Sequence, residues 1–295
     1  LDEVKADGTG NSVLAANLPS TILLFASVPT KANVFVIAAN LGGNNNYGIY
    51  VSTGLSTSAV QTLVNANYSY VSSLAVSSDG KNLVYSAVQA SDITQTSYLY
   101  VVPVAGGNPV QLDYSDGSTI SPGDSNTIAY VASPGGNSPY DQVFTRLISA
   151  GAAGKTNQIT SDAVQHILPA FNRAGTQIAY WESSSSSNTL FLTTVGSTAA
   201  PVSLPNPSSV IPQGECFSSD GSHLVIAADA GGSGELLTQA TSGGSPTAIL
   251  LNSQLLGNFG VYWTDANGRG IGGSMMPSAQ RRQVGLLAKV LSRRP

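Results

Sequence analysis

Charge is what this chain has least of. Lys, Arg, Asp and Glu make up only 9% of its 295 residues, against about a quarter in an ordinary soluble domain. Gly, Ser, Asn and Thr take their place, so the surface is polar but nearly uncharged. Disorder is excluded all the same, because disordered chains combine high net charge with few β-formers, and Val, Ile, Leu and Tyr recur throughout. The composition suits an exported β-protein, periplasmic or extracellular, better than a cytosolic enzyme. The chain begins at Leu1 rather than Met, and an export signal is expected to have been removed.

Other shortages exclude particular chemistries. There are two histidines, His166 and His223, too few for a histidine-rich catalytic metal centre. The single cysteine, Cys216, cannot form an internal disulfide and is expected to be a buried, inert thiol. No run approaches the roughly 18 apolar residues of a membrane-spanning helix; the longest, near Ile22 to Phe25 and Val34 to Ala39, are strand-sized. There is no Gly-x-Ser-x-Gly elbow, no phosphate-binding Gly-x-x-x-x-Gly-Lys loop and no Asp-x-Asp-x-Asp calcium loop.

The charge that is present is unevenly placed. All sixteen acids precede residue 281, whereas Arg281, Arg282, Lys289, Arg293 and Arg294 give the last fifteen residues a charge of +5. A nucleic-acid-binding domain needs a basic face over its body, and this body is acidic. The tail at 281–295 is expected to meet an acidic partner surface or a membrane face, or to stand in solvent.

What is abundant is repetition. Val71 to Ala87, Ile120 to Ala132, Ile167 to Glu182, Cys216 to Ala228 and Phe259 to Gly272 each read as strand, tight turn, strand. The turns carry Asp79-Gly80, Gly123-Asp124, Ala174-Gly175, Asp220-Gly221 and Asn267-Gly268, and Asp-Gly and Asn-Gly are the pairs that accept positive φ. The apolar strands that follow contain positions 85, 130, 180, 226 and 271, and Val34-Phe35-Val36 supplies a first copy at 36. Their spacings are 49, 45, 50, 46 and 45 residues. Four strands per repeat at such a period, with no helical pattern, select a propeller over a solenoid.

The second half of each repeat agrees. An alternating strand is followed by a small-residue turn and another strand, as in Tyr98 to Val104 with Gly106-Gly107-Asn108-Pro109, and Leu236 to Ala240 with Gly243-Gly244-Ser245-Pro246. A Ser-x-Asp-Gly hairpin with a following aromatic strand, then a Gly-Gly-x-Pro hairpin, resembles the TolB-like, or PD40-type, propeller repeat. The resemblance covers nearly the whole chain. It implies one all-β domain over 1–295: a six-bladed β-propeller with four-stranded antiparallel blades around a central channel. It does not choose a function, since such propellers serve as binding modules, as accessory domains of peptidases and lyases, and as assembly subunits.

The ends are expected to share the last blade, with Gln283 to Leu291 as its third strand and Asn11 to Ala16 as its fourth, closing the ring and removing exposed edges. A helix over 283–291 is the rival, against which Gly285 counts by about 1 kcal/mol.

In a propeller the second-to-third-strand loops and the interblade crossovers share one face. Asp79, Asp124, Asp220 and Asp265 lie on the other, where acids hydrogen-bond their own turns. Candidate groups on the loop-bearing face are Asp92, Tyr140, Asp141, Asp229 and Arg281. Nearer the channel mouth the expectation places Tyr68, Tyr70, Asp113, Asp116, Asp162, His166, Glu215 and Asn258. Calcium, which needs only oxygen donors, is conceivable there through Asp113, Asp116 or Glu215; no other cofactor is implied. Trp181 and Trp263 are expected to pack between blades.

Two functions fit. The first is a non-catalytic exported module that presents a propeller face to a protein partner, as one subunit of a larger assembly. The second is a polysaccharide- or peptide-acting lyase or hydrolase with His166, Tyr70 and Glu215 as acid-base groups, and it requires His166 within reach of a carboxylate or tyrosine.

Overall fold

A computed structural model of the chain describes residues 22–251, apart from 29, 32–33, 41–45, 54–59, 78, 116–119, 123–125, 135–137, 149–153, 173, 185–186, 206–209, 219 and 231–233. Four short strands outside that span are also described: β1 (Asp2–Glu3), β2 (Ser12–Val13), β22 (Val261–Trp263) and β23 (Ala288–Val290). All regular structure among these residues is β.

Successive hairpins build successive meanders. The first is β3 (Ile22–Ser27), β4 (Phe35–Ala39), β5 (Tyr47–Ser52) and the outer half of β6 (Val60–Val76). The inner half of β6 opens the second, with β7 (Asn82–Gln89), β8 (Ser97–Pro103) and β9 (Val110–Tyr114). Because β6 serves both, these two meanders form one seven-stranded sheet. Three separate four-stranded sheets follow, called the third, fourth and fifth sheets after the meanders they form. They are β10 (Ile120–Pro122) to β13 (Thr156–Gln158) through β11 (Thr127–Ala132) and β12 (Gln142–Leu147), then β14 (Gln165–Phe171) to β17 (Val202–Leu204) through β15 (Gln177–Ser183) and β16 (Asn188–Thr194), then β18 (Val210–Phe217) to β21 (Thr247–Leu251) through β19 (His223–Ala230) and β20 (Gly234–Ala240). Val36, Tyr85, Tyr130, Tyr180 and Ile226 each fall in the second strand of a meander.

First strands stack on first strands: β3 packs on β6, β6 on β10, β10 on β14, β14 on β18 and β18 on β22. The core lies between sheets. Along β11, Ile128, Tyr130 and Ala132 join a cluster with Val84, Leu99 and Val101 of the preceding sheet, while Ala129 and Val131 join Phe171, Ile178 and Tyr180 of the next. Alternate residues of β15 divide likewise, Ala179 and Trp181 packing with Leu224 and Ile226. This period of two, with both faces buried, is why the middle strands read as unbroken apolar runs.

The turns behave as their residues dictate. Ser77 Oγ donates to Asp79 Oδ1 at 2.6 Å, and that oxygen also accepts the Lys81 N–H at 3.0 Å. Ser218, Asp220 and Ser222 repeat the arrangement at 2.6 and 3.0 Å. Gly80 is obligatory: its φ is +71°, and a Cβ there would sit 2.2 Å from Thr30 Oγ1. That contact joins the first-to-second-strand turns of two neighbouring meanders on one edge of the molecule, here called the hairpin edge.

The opposite, loop-bearing edge is also tied across sheets. The His166 N–H donates to the Asp141 carbonyl at 3.1 Å, and Asn188 Nδ2 donates to the Val210 carbonyl at 3.0 Å.

The chain ends depart from expectation. β2 pairs with β1, and β23 lies parallel to β22 rather than following a meander. Among the described residues, no strand from the start of the chain joins the last sheet.

Candidate functional site

Chemistry-bearing side chains converge where the third sheet meets the fourth on the loop-bearing edge. His166 is the second residue of β14 and lies directly opposite Glu182 of β15. The crossover before β14 brings Asp162, and the β11–β12 loop brings Asp141. Gln165 clamps that loop, its Nε2 donating to Asp141 Oδ2 at 2.7 Å and its Oε1 accepting the Asp141 N–H at 3.0 Å. Gln142 Nε2 donates to the carbonyls of Asp162 and Val164, each at 3.0 Å, and so fixes the crossover.

His166 is therefore neither in a loop nor at the surface, as a lone polar residue near a crossover would suggest: it is 0% exposed. Its ring meets Tyr180 edge-on at 5.4 Å. Nδ1 lies 3.4 Å from the Asp141 carbonyl oxygen, which can only accept, so the ring hydrogen belongs on Nδ1. Nε2 then faces Asp162 Oδ1 at 3.5 Å and Glu182 Oε1 at 3.8 Å. Burial, with Glu182 and Asp162 adding their negative charge, pushes the Tyr180 hydroxyl well above its ordinary range.

A β-bulge makes this convergence. The β14–β15 register shifts between Ile167 and Ala170, and Leu168 within the shift has φ of 55°. Without the extra residue, the alternation running back from Phe171 would send His166 to the fifth sheet's side. With it, His166 faces the third sheet, where Asp141 stands; re-aiming a side chain is a common use of bulges. Pro169, which has no N–H to donate, sits inside the irregularity. β3, β6 and β18 are shifted in the same way, between Ile22 and Leu24, Val71 and Ser73, and Pro212 and Gly214.

The other expected mouth residues separate. Glu215 is 0% exposed, and its Oε2 accepts the indole N–H of Trp181 between the fourth and fifth sheets. Burial pushes its carboxyl up to about 8, against the lowering effect of the indole bond, and Oε1 has no hydrogen-bond partner. Trp181 thus packs between sheets as expected. The fourth sheet stands between Glu215 and His166, and Tyr70 lies opposite Val88 in the second meander. His166, Tyr70 and Glu215 are therefore not brought together; the carboxylates that face His166 Nε2 are those of Asp162 and Glu182. Pairing Glu182 with His166 requires the bulge, which no residue pattern announces.

Asp113 belongs to the outer strand β9, opposite Leu99, because pairing continues to Tyr114 before the crossover begins. There it accepts from the Tyr130 hydroxyl at 2.7 Å and lies 3.6 Å from Arg146 Nη1, a bond between sheets. Asp113 and Glu215 consequently share no oxygen site for calcium. Tyr68 is 1% exposed, its hydroxyl 2.7 Å from that of Tyr85. Cys216 is buried as expected. Asp116, Asp124, Asn258, Asp265 and Arg281 lie outside the described residues; of the basic tail only Ala288–Val290 is described, as strand.

Asp92, Tyr140, Asp141 and Asp229 do lie on the loop-bearing edge. The Asp92 loop is tightly braced. Asp92 Oδ1 accepts the Thr94 N–H at 2.9 Å and the Thr94 hydroxyl at 2.5 Å, and Oδ2 accepts the Thr96 N–H at 3.2 Å. These bonds hold Ile93, 95% exposed, in solvent. Tyr140, also exposed, is held by Ser138, whose hydroxyl donates to the Tyr140 carbonyl at 2.9 Å. A separate cleft, lined by residues including Thr62, Asn65, Gly107 and Pro109, lies beside a turn of the hairpin edge.

No protein-family model matches this chain, and no curated protein matches it in sequence. Solved structures do match. One, described as TolB from Agrobacterium tumefaciens, is 13% identical with a TM-score of 0.60, over 86% of this chain and 91% of that one. TolB from Acinetobacter baumannii is 17% identical at a TM-score of 0.60, over 95% of this chain but 59% of its own. A prolyl endopeptidase is 14% identical at 0.58, over 84% of this chain and 37% of its own. Likeness at these identities shows the fold alone: a TolB-like β-propeller. No helix of the described residues is long and apolar enough to cross a membrane.

Proposed function

We propose that this chain is an exported, non-catalytic binding or assembly module of the TolB-like, PD40-repeat kind, which offers its loop-bearing edge to a protein partner. The observation that carries the reading is the Asp92 loop, in which a network of hydrogen bonds holds Ile93 almost wholly in water. Ordering a loop has an entropic cost, and a braced apolar tip is the kind of anchor that a partner's pocket takes up. Exposed Tyr140 and Ile211 on the same edge extend it.

In this reading the domain spans 1–295 and has six blades, the sixth begun by β22. The five meanders and the relayed packing of first strands support that count. The low content of charged residues supports export to the periplasm or beyond. The basic tail gives an acidic partner a second point of attachment. The acidic body, without the basic face that nucleic acid requires, favours a protein partner.

One observation favours a second reading, a lyase or hydrolase acting on a polysaccharide or peptide: His166 Nε2 faces two carboxylates. The readings separate experimentally. A partner retained from a source extract by the immobilised wild-type chain, and released at least tenfold more readily by a folded Ile93→Asp/Tyr140→Asp variant, supports the module. Equal retention by both proteins overturns it. Turnover of a glycan or peptide that is lost in Asp162→Asn establishes the enzyme instead.

A further inference from the structure

We propose that Asp162, His166 and Glu182 bind one first-row divalent metal ion of the zinc or manganese type. Each residue offers one ligand atom, and the three atoms lie within 4.8 Å of one another, the only such group among the described residues. A tetrahedral ion with bonds of about 2.0–2.2 Å separates its ligand atoms by roughly 3.4 Å. The imidazole-to-carboxylate distances here are 3.5 and 3.8 Å, so small side-chain rotations suffice.

Acidic groups alone would prove nothing, since carboxylates gather on many surfaces. The decisive atom is His166 Nε2. It is fully buried, makes no hydrogen bond, and is aimed between the two carboxylates. A buried polar atom without a partner is costly unless something satisfies it. The ring is also prepared as a ligand. Its Nδ1 faces the Asp141 carbonyl at 3.4 Å, leaving the Nε2 lone pair toward the site, and Gln165 in turn holds Asp141 at 2.7 and 3.0 Å. A second layer that orients the histidine in this way is usual for bound metals.

The ligand set selects the ion. Calcium takes six to eight oxygens, and magnesium keeps most of its water; one nitrogen and two carboxylates suit zinc or manganese better. Three protein ligands leave at least one position free. Asp162, half exposed, opens that position toward the loop-bearing edge, where water or a carboxylate from a bound molecule can enter. The inference stands apart from the docking proposal, since neither requires the other.

The test is calorimetric titration of the metal-stripped full chain with Zn²⁺ and with Mn²⁺, beside thermal melts. Wild type is expected to bind one equivalent of at least one of these ions and to melt higher with it. Asp162→Asn and Glu182→Gln, each checked for the native β-signature, are expected to bind at least tenfold more weakly and to lose the melting shift. His223→Ala, on the hairpin edge, is expected to titrate like wild type. No saturable binding of either ion by wild type overturns the proposal. Unchanged affinity in Asp162→Asn or Glu182→Gln, or loss in His223→Ala, also overturns it.

Discussion

Glu215 is the residue whose surroundings most directly oppose its usual state. A carboxyl with one indole donor and one oxygen unpartnered, wholly buried, keeps its proton to about pH 8, against an ordinary value of 4.5. The folded state therefore binds that proton more tightly than the unfolded state does. Its favourable contribution is complete below the ordinary value and is lost as pH rises through the folded one. The melting temperature should fall between pH 5 and 8. Glu215→Gln, which keeps an acceptor for Trp181 but cannot ionise, should flatten that part of the curve and melt above wild type at pH 8. Parallel curves for the two proteins would contradict the assignment.

The Tyr68–Tyr85 pair makes the opposite point, that two polar groups can satisfy each other in a core. Their hydroxyls are 2.7 Å apart, and both rings are shielded from water. Removing either hydroxyl strands the other, at a cost of about 1–3 kcal/mol. Tyr68→Phe with Tyr85→Phe should therefore destabilise by less than the sum of the single changes, by about 1 kcal/mol in a urea-melt cycle. Additive losses would show that the hydroxyls do not depend on each other. A tyrosine at the entry to an inner strand suggests a mouth residue; only the packing around β6 reveals Tyr68 as core.

At the scale of elements, turns were legible and bulges were not. Asp79-Gly80 and Asp220-Gly221 announce their geometry because few residues accept positive φ, and both glycines show it, at 71° and 73°. Gly80→Ala should cost more than Gly106→Ala. A left-handed conformation costs an L-residue roughly 1–2 kcal/mol at either site, but only at Gly80 does the new methyl strike Thr30. Equal losses in urea melts would contradict this packing. The bulge at Leu168 carries no such signal: a buried leucine with φ of 55° is held there by its surroundings. Since that one residue decides which side of the sheet His166 faces, Asp162 and His166 could be named from sequence while Glu182 could not. Nothing in Leu112-Asp113-Tyr114 marks where β9 stops, so the place of Asp113 in that strand is likewise silent in the sequence.

At the scale of the whole molecule, repetition was the legible property. Equivalent positions at intervals of 45 to 50 residues become second strands of successive meanders, and alternation along each strand divides side chains between two inter-sheet cores. The two ends of the chain were read less well, since short segments with weak alternation specify register poorly, and β23 runs parallel to β22. Function enters at this scale too, because the loops that vary most between meanders all open on one edge. That edge carries the exposed Ile93 tip and Tyr140, and beneath it His166 is buried against the partly exposed Asp162 and Glu182.

The most direct test of that account is the native mass of the full chain in an extract of its source, measured for wild type and for Ile93→Asp/Tyr140→Asp. The account predicts that wild type travels well above its 30.1 kDa with a protein partner, and that the folded variant travels alone. Wild type running as a clean monomer, or the variant remaining in the same complex, would contradict it.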